Sequence, residues 1–293
     1  MPGALRSLLK LPRLFWDAYW RLVDDDGWAI ASHIALSALM SLFPFLIFVT
    51  ALAATFGTQN LGDAAADIIL EAWPKQVAEP ITREVRSVLT RTRSDVLTVG
   101  AALALYFSSN GIEALRIALN RAYGLKELRA WWLTRLESIA YVVVAAIAIL
   151  ALSVLVVLGP FFWNALTDYR PGFLPFSSTV TVLRLVVATL VIVVALTIVH
   201  KWLPCGTRKL EDVMPGVLLT VVLWLGYALA FAAYLGRAGQ AYVTTYAGLA
   251  SVMIALVFLY AIAATFIFGG EFNAVMMHRR KMKRDAQKTA EKA

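Results

Sequence analysis

Residues 28–56 read WAIASHIALSALMSLFPFLIFVTALAATF, from Trp28 to Phe56, with no Asp, Glu, Lys or Arg among them. A helix of about 20 mostly apolar residues crosses the hydrocarbon of a bilayer. This run exceeds that length, so the chain is read as a membrane protein. The surrounding composition agrees. Of 293 residues, 60% are hydrophobic and only 16% are charged, whereas soluble domains carry about 25% charged residues. Too few charges remain to coat a soluble core of this size, which excludes a soluble enzyme, a disordered tail protein and a secreted disulfide scaffold. Cys205 is the single cysteine and cannot form an internal disulfide.

Outward from the first run, five more low-charge stretches follow. They lie between Asp95 and Glu113, between Glu137 and Asp168 (ending at Gly159-Pro160), from about Thr179 to Leu203 with Arg184 inside, between Asp212 and Arg237, and between Arg237 and Glu271. The second is the shortest and turns polar at Ser108-Ser109-Asn110-Gly111. It is expected to continue as a helix whose polar end lies in protein or at the interface. Ala51-Leu52-Ala53 resembles a signal-peptide cleavage site, but the apolar core starts too late and runs too long. An uncleaved anchor fits better.

Six spans put both termini on one side. That side holds 19 Lys and Arg, the other holds 7, and Arg184 sits in a span. Lys and Arg accumulate on the cytoplasmic side, so both termini are expected there. The same bias accounts for the net charge of +8 without nucleic acid.

The expected architecture is an all-α, polytopic membrane protein. Residues 1–27 form an N-terminal cytoplasmic or interfacial segment, 28–274 a six-helix membrane domain, and 275–293 a basic cytoplasmic tail that frays near anionic lipid. Within 12–23, Phe15, Trp16, Tyr19, Trp20, Leu22 and Val23 make an apolar, aromatic side. That helix is expected either in the headgroup plane or against the ends of the bundle. Segment 57–95 carries apolar residues at helical spacing, from Ile68 to Leu89, with Pro74 and Pro80. It reads as a periplasmic insert of two amphipathic helices that cap a cavity, dock a partner or close the bundle. Trp131-Trp132 and Trp202 at one boundary, and Phe161-Phe162-Trp163 at the other, match aromatic belts.

Catalytic motifs are missing. There is no GxxxxGK[ST], HExxH, CxxC or GxSxG. His33, His200 and His278 are far apart, and no pair has the i, i+4 spacing of a helix-borne metal site. With Asp24, Asp25, Asp26, Glu211, Asp212 or Glu271 they would have to assemble one in space. No metal or cofactor is expected.

Polar groups at membrane depth are costly and usually face protein or water. Arg184 either snorkels to the outer interface or meets an anionic headgroup in a cavity. Asn110, Glu113, Arg116 and Asn120 form one stripe if the second helix continues, and Glu113 can pair with Arg116. Glu271 and Asn273 close the sixth span. Pro44 and Pro215-Gly216 are expected to break helices and shape cavity walls. Gly226 and Ala230 make a small-xxx-small pair for close helix contact.

Several of these stretches carry a resemblance. Ile34-Ala35-Leu36-Ser37-Ala38-Leu39-Met40-Ser41-Leu42-Phe43-Pro44 resembles the first-span signature of the YihY/BrkB family. Tyr106-Phe107-Ser108-Ser109-Asn110-Gly111 with Ala118-Leu119-Asn120-Arg121-Ala122-Tyr123 looks like its second motif. Leu203-Pro204, Pro215-Gly216 and Gly269-Gly270-Glu271-Phe272-Asn273-Ala274 look like the rest, in the right order from about Trp28 to Ala274. The resemblance implies a bacterial inner-membrane protein with six helices and both termini inside. The family once carried the label ribonuclease BN, usually regarded as a misassignment. It is linked to virulence and serum resistance, with some members tied to envelope lipid or lipopolysaccharide traffic and to periplasmic AsmA-like lipid-bridge proteins.

The functional expectation is a non-enzymatic transporter or lipid-handling protein for an anionic amphiphile such as phospholipid, moved toward the outer leaflet or a periplasmic partner. Arg184, Asn110, Glu113, Arg116, Glu271 and Asn273 are the candidate contacts. A structural protein that docks an envelope partner through 57–95 is the alternative, and a membrane-bound metal-dependent hydrolase is the third. The sequence sets no oligomeric state.

Overall fold

The computed structural model describes residues 11–55, 97–169, 177–246 and 249–290. All seven regular elements among them are helices: α1 (Leu11–Asp24), α2 (Gly27–Thr55), α3 (Leu97–Ala122), α4 (Trp131–Tyr169), α5 (Ser177–Trp202), α6 (Leu210–Tyr246) and α7 (Ala250–Ala290). Segment 57–95 lies outside the described residues, as do the side chains of Phe161, Phe162, Trp163 and Arg184.

Four helices contain stretches long and apolar enough to cross a membrane: Gly27–Val49, Trp131–Leu150, Leu210–Arg237 and Val252–Ala290. Val186–Trp202 is a shorter apolar helix. The expected second span, α3, is absent from this set. Glu113, Arg116 and Arg121, with the polar Asn110 and Asn120, fill its second half and offset its apolar first half.

Three boundaries differ from the sequence reading. α4 does not stop at Gly159-Pro160 but runs to Tyr169. α6 passes through Arg237 to Tyr246, and α7 starts at Ala250. One arginine has good helix propensity and does not end a helix. The basic segment after Arg279 continues α7 as helix to Ala290 rather than fraying. Pro44 and Pro215 also lie inside unbroken helices.

α7 is the central element and packs on α1, α2, α3 and α6. The main core joins Ala31 and Ile34 of α2, Ala114, Ala118 and Leu119 of α3, Leu196 of α5, Val217 and Val221 of α6, and Ala263 and Ile267 of α7. Small residues let these axes approach. Gly216 and Gly269 form the tightest crossing: a Cβ on Gly216 would lie 2.0 Å from the Gly269 carbonyl oxygen. By contrast, nothing among the described residues lies within 4 Å of a Cβ on Gly226, so that small residue serves no helix crossing among them. Large apolar side chains such as Leu190, Val194, Leu218, Val222, Leu225 and Leu229 are exposed, as suits a surface that faces lipid tails.

α1 resolves its two expected placements into one geometry. Leu14, Ala18 and Leu22 recur every four residues; Ala18 joins Phe272 and Val275 of α7, with Leu14 packed beside them. Phe15 sits 5.1 Å from Phe272, centroid to centroid. On the other side Trp16 is 61% exposed, with Tyr19 and Trp20 also exposed. The helix packs on the bundle and presents aromatics outward. Asp26, at φ 55°, turns the chain into α2. Gly27 is needed there because a Cβ would lie 2.3 Å from Leu22 Cδ1 and 2.7 Å from its carbonyl oxygen.

Candidate functional site

The ends of α3, α5 and α1, the starts of α4 and α6, and the C-terminal half of α7 converge at one end of the bundle. The polar chemistry gathers there. Arg21, Arg121, Arg129, Arg208, Arg279 and Arg280, all assigned to one side by sequence, make contacts in this region.

Arg116 anchors α3 to α4. It is 2% exposed; Nη1 donates to Glu113 Oε2 at 2.7 Å, and Nη2 donates to Ser138 Oγ at 2.8 Å and Glu137 Oε2 at 3.4 Å. Ser138 Oγ in turn donates to Glu113 Oε1 at 2.8 Å. Glu113 meets Arg116 because residues three apart share a helix face. Asn110, at the head of the same stripe, is exposed.

The loop after α3 starts at Gly124, whose φ is 65°. It is closed by a clasp. Arg129 Nη2 donates to Glu127 Oε2 at 2.7 Å and Nη1 to Glu137 Oε2 at 2.7 Å, while Nη2 also reaches the Leu203 carbonyl at 3.0 Å. Asn120 Nδ2 donates to Glu127 Oε2, and Asn120 Oδ1 accepts from the Cys205 backbone N–H at 2.7 Å. The Arg129 guanidinium, with help from its own backbone N–H and Asn120, pulls the Glu127 carboxyl down to about 2. A depressed carboxyl stabilises the fold above its ordinary pKa, and the benefit fades as pH falls toward the lowered value. The gap in unfolding midpoint between the native chain and Glu127→Gln should therefore be full at pH 5 and close between about pH 4.5 and 2. Thermal unfolding in detergent across that range checks it.

Arg208 closes the C-terminal end of α5. It is buried and donates to the carbonyls of His200, Lys201, Pro204 and Cys205 at 2.7–3.2 Å. The first two are among the orphan acceptors every helix end leaves; the carbonyls of Pro204 and Cys205 belong to the loop that follows. Its guanidinium also lies 4.8 Å from the Tyr123 ring centroid. Burial pushes the Tyr123 phenol up to about 12, so it keeps its proton. Tyr123 Oη sits 3.3 Å from His200 Nδ1 and accepts from Asn273 Nδ2 at 3.3 Å.

Asn273 ties α7 to α6. Its Oδ1 accepts from the Gly216 N–H at 2.6 Å and its Nδ2 donates to the Val213 carbonyl at 2.9 Å. Pro215 has no N–H to offer the carbonyl four residues earlier. That carbonyl, Glu211, accepts from Arg280 Nη1 at 3.1 Å, and the same nitrogen reaches Asp212 Oδ1 at 3.0 Å.

Glu271 is 0% exposed. Its Oε2 accepts from Arg21 Nε at 3.1 Å, while no hydrogen bond among the described residues reaches its Oε1. Arg21 Nη2 also donates to the Ala122 carbonyl at 3.3 Å. A second α1–α7 pair joins Arg279 to Asp17.

Outside these pairs opens a cleft of about 570 Å³ between α1, the end of α3, the start of α6 and α7. Arg21, Arg280, Lys281, Arg284 and Lys288 line it against two carboxylates, Asp212 and Asp285. Lys281, Arg284 and Lys288 recur at helical spacing, and no ion pair among the described residues holds them.

The model of the family described as Virulence factor BrkB matches residues 18–293. The chain belongs to the BrkB family. Two relatives of this BrkB-family chain carry different labels. The ribonuclease-like protein YfkH of Bacillus subtilis (strain 168) is 26% identical over 266 residues, 91% of this chain and 96% of the relative. The UPF0761 membrane protein RC1_0578 of Rhodospirillum centenum is 25% identical over 285 residues, 94% of this chain and 59% of the relative. The chain thus spans little more than half the length of that second relative. No solved structure matches. The BrkB family and the apolar helices make this a membrane protein.

The candidate residues fall into three groups. Glu113 and Arg116 share one network. Glu271, Asn273, Pro215 and Gly216 share the α6–α7–α1 junction. Asn110 is exposed on α3 one turn before Glu113, and Pro44 lies within α2; Arg184 lies on α5 with its side chain outside those described. His33 and His278 are exposed and His200 is buried. Among the described residues no three His, Cys, Asp or Glu stand together to hold a metal. Sequence reasoning missed Arg21, Arg129 and Arg208 as organising groups. They had been read only as inside-positive charge, and spacing along one helix carries no sign of contacts to another. The stripe Lys281, Arg284, Lys288 was missed because the tail was read as frayed; its helical spacing was the signal that could have found it.

Proposed function

We propose that this BrkB-family protein is a non-enzymatic transporter or lipid-handling protein of the bacterial inner membrane, with both termini cytoplasmic, and that the cleft receives the phosphate-bearing head of an anionic amphiphile. The cleft carries this reading: five cations face two carboxylates at the end of a bundle whose flanks expose leucine and valine. An amphiphile with an anionic head and apolar tails fits both surfaces. Basic side chains near a membrane contribute about 1 kcal/mol each toward anionic lipid. Lys281, Arg284 and Lys288 join Arg184, the sequence candidate for this contact, in the reading. Hand-over to a periplasmic lipid-bridge protein of the AsmA-like type is the outcome the family resemblance implies.

The ribonuclease-like label belongs to the relative. Here the charged groups near the buried histidine are engaged in holding helices together, which favours a binding role over hydrolysis.

Charge removal on the exposed end of α7 tests the reading. In detergent-solubilised protein, Lys281→Gln with Arg284→Gln and Lys288→Gln should weaken binding of phosphatidylglycerol at least tenfold and leave the unfolding midpoint within a degree or two. Unchanged binding would place the head elsewhere. Transport of labelled lipid in proteoliposomes that these substitutions slow supports the transporter form of the reading.

A further inference from the structure

Two of the cations that line the cleft are already fixed in place. Arg21 of α1 donates through Nε to Glu271 and through Nη2 to the Ala122 carbonyl, and its Nη1 has no hydrogen bond among the described residues. Arg280 of α7 uses Nη1 on the Glu211 carbonyl and on Asp212, which leaves its Nε and Nη2 without one among the described residues. Each guanidinium is therefore held by the protein on one edge and offers N–H groups on another. Donors oriented in advance lose little freedom when an anion arrives.

The remaining cations set the charge. With Arg21 counted against Glu271 and Arg280 against Asp212, the three cations Lys281, Arg284 and Lys288 stand against the one carboxylate of Asp285, a surplus of two. Neighbouring charges do not alter this count: Arg279 pairs with Asp17, and Arg121 with Asp25 and Asp26. The Tyr123 phenol, also in the wall, keeps its proton and adds no charge.

We propose that the cleft selects a head that ends in a terminal, doubly ionised phosphate (a phosphomonoester or the end of a diphosphate) over a singly charged phosphodiester. The inference rests on the cleft reading above and narrows it. A terminal phosphate carries three acceptor oxygens and about −1.5 to −2 charges at pH 7, its second pKa lying near 6. Its charge matches the surplus, whereas a diester leaves half of that surplus unanswered. Three oxygens give Arg21, Arg280 and one cation of the exposed stripe an acceptor apiece, in the charge-assisted pairing that phosphate and guanidinium favour.

The test is calorimetric titration of the full chain in neutral detergent at pH 8, about two units above that second pKa. The chain carries His278→Gln, which takes the remaining titratable group of the wall out of the count. The ligands are dihexanoyl phosphatidic acid and dihexanoyl phosphatidylmethanol, which differ by a methyl cap and the charge it removes. The monoester should bind at least tenfold more tightly. Glycerol 3-phosphate and its methyl ester repeat the comparison without tails. A preference in the acylated pair alone assigns the terminal phosphate to a lipid; a preference in both pairs assigns it to the phosphate itself, free or lipid-borne. Two substitutions of exposed side chains then check the charge count. Arg284→Gln should weaken, and Asp285→Asn should tighten, both acylated ligands. The logarithmic step should be about twice as large for the monoester, because the interaction scales with the charge of the ligand. A ratio below tenfold overturns the selectivity and leaves the cleft reading intact, and so do equal steps for the two ligands. Binding that neither substitution changes places the head outside the cleft. That result, or no binding of any ligand, overturns the cleft reading and the selectivity with it.

Discussion

Gly216→Ala should cost roughly 3 kcal/mol of stability, the upper part of the range for overpacking a tight contact. The added Cβ would sit 2.0 Å from the Gly269 carbonyl oxygen and 2.5 Å from Asn273 Nδ2. The first neighbour is backbone and cannot rotate away. Relief requires α6 to move from α7, which stretches the 2.6 Å bond from Gly216 N–H to Asn273 Oδ1. A sharp fall in unfolding midpoint and in yield from the membrane is the expected readout. Gly226→Ala, on the same helix, is the control: its Cβ meets nothing within 4 Å among the described residues, and alanine gains about 1 kcal/mol over glycine in a helix interior. If both variants unfolded alike, the close crossing would not be what Gly216 provides.

Arg116→Met should be the most damaging single change at a charged position. The methionine fills part of the volume but leaves Glu113 without its cation, leaves Glu137 to Arg129 alone, and deprives Ser138 Oγ of a donor. Removing one partner of a buried pair costs roughly 3–5 kcal/mol. The partly exposed glutamates put this case near the lower figure. Adding Glu113→Gln should recover much of the loss, because the uncompensated charge goes with it. Thermal unfolding of the single and double variants in the same detergent decides it. A double variant no more stable than the single would mean that Arg116 acts by filling space.

The helices themselves were largely readable. Trp28–Phe56 and the run from Asp212 onward declare their character by lack of charge, and α1 by its aromatic side. Boundaries were less so. Arg237 looked like a divider because it is the lone charge between two apolar runs, yet a single arginine neither breaks hydrogen bonds nor constrains φ. α3 was counted as a span on its apolar first half, although its second half is devoted to ion pairs. Within the site, Glu113 and Arg116 were legible because their partnership is local. Arg21 with Glu271, or Arg129 with Leu203, was not. Such pairs depend on which helix ends share one end of the bundle, and that is settled by packing at Gly216, Gly269 and Ala18 rather than by any spacing along the chain. The cleft was hidden for the same reason and for one more: a basic tail read as frayed has no helix face to carry a stripe, and the wall opposite comes from three other elements.

Arg21 and Glu271 are 250 residues apart in the chain. At a ribosomal rate of roughly 5–20 residues per second, α1 emerges some 10 to 50 seconds before the acid that will lock it. During that wait the nascent helix has its outward aromatics, Trp16, Tyr19 and Trp20, with which to hold to the bilayer surface. Helix α7 is the one that fastens α1, so a premature stop before Glu271 leaves α1 undocked as well.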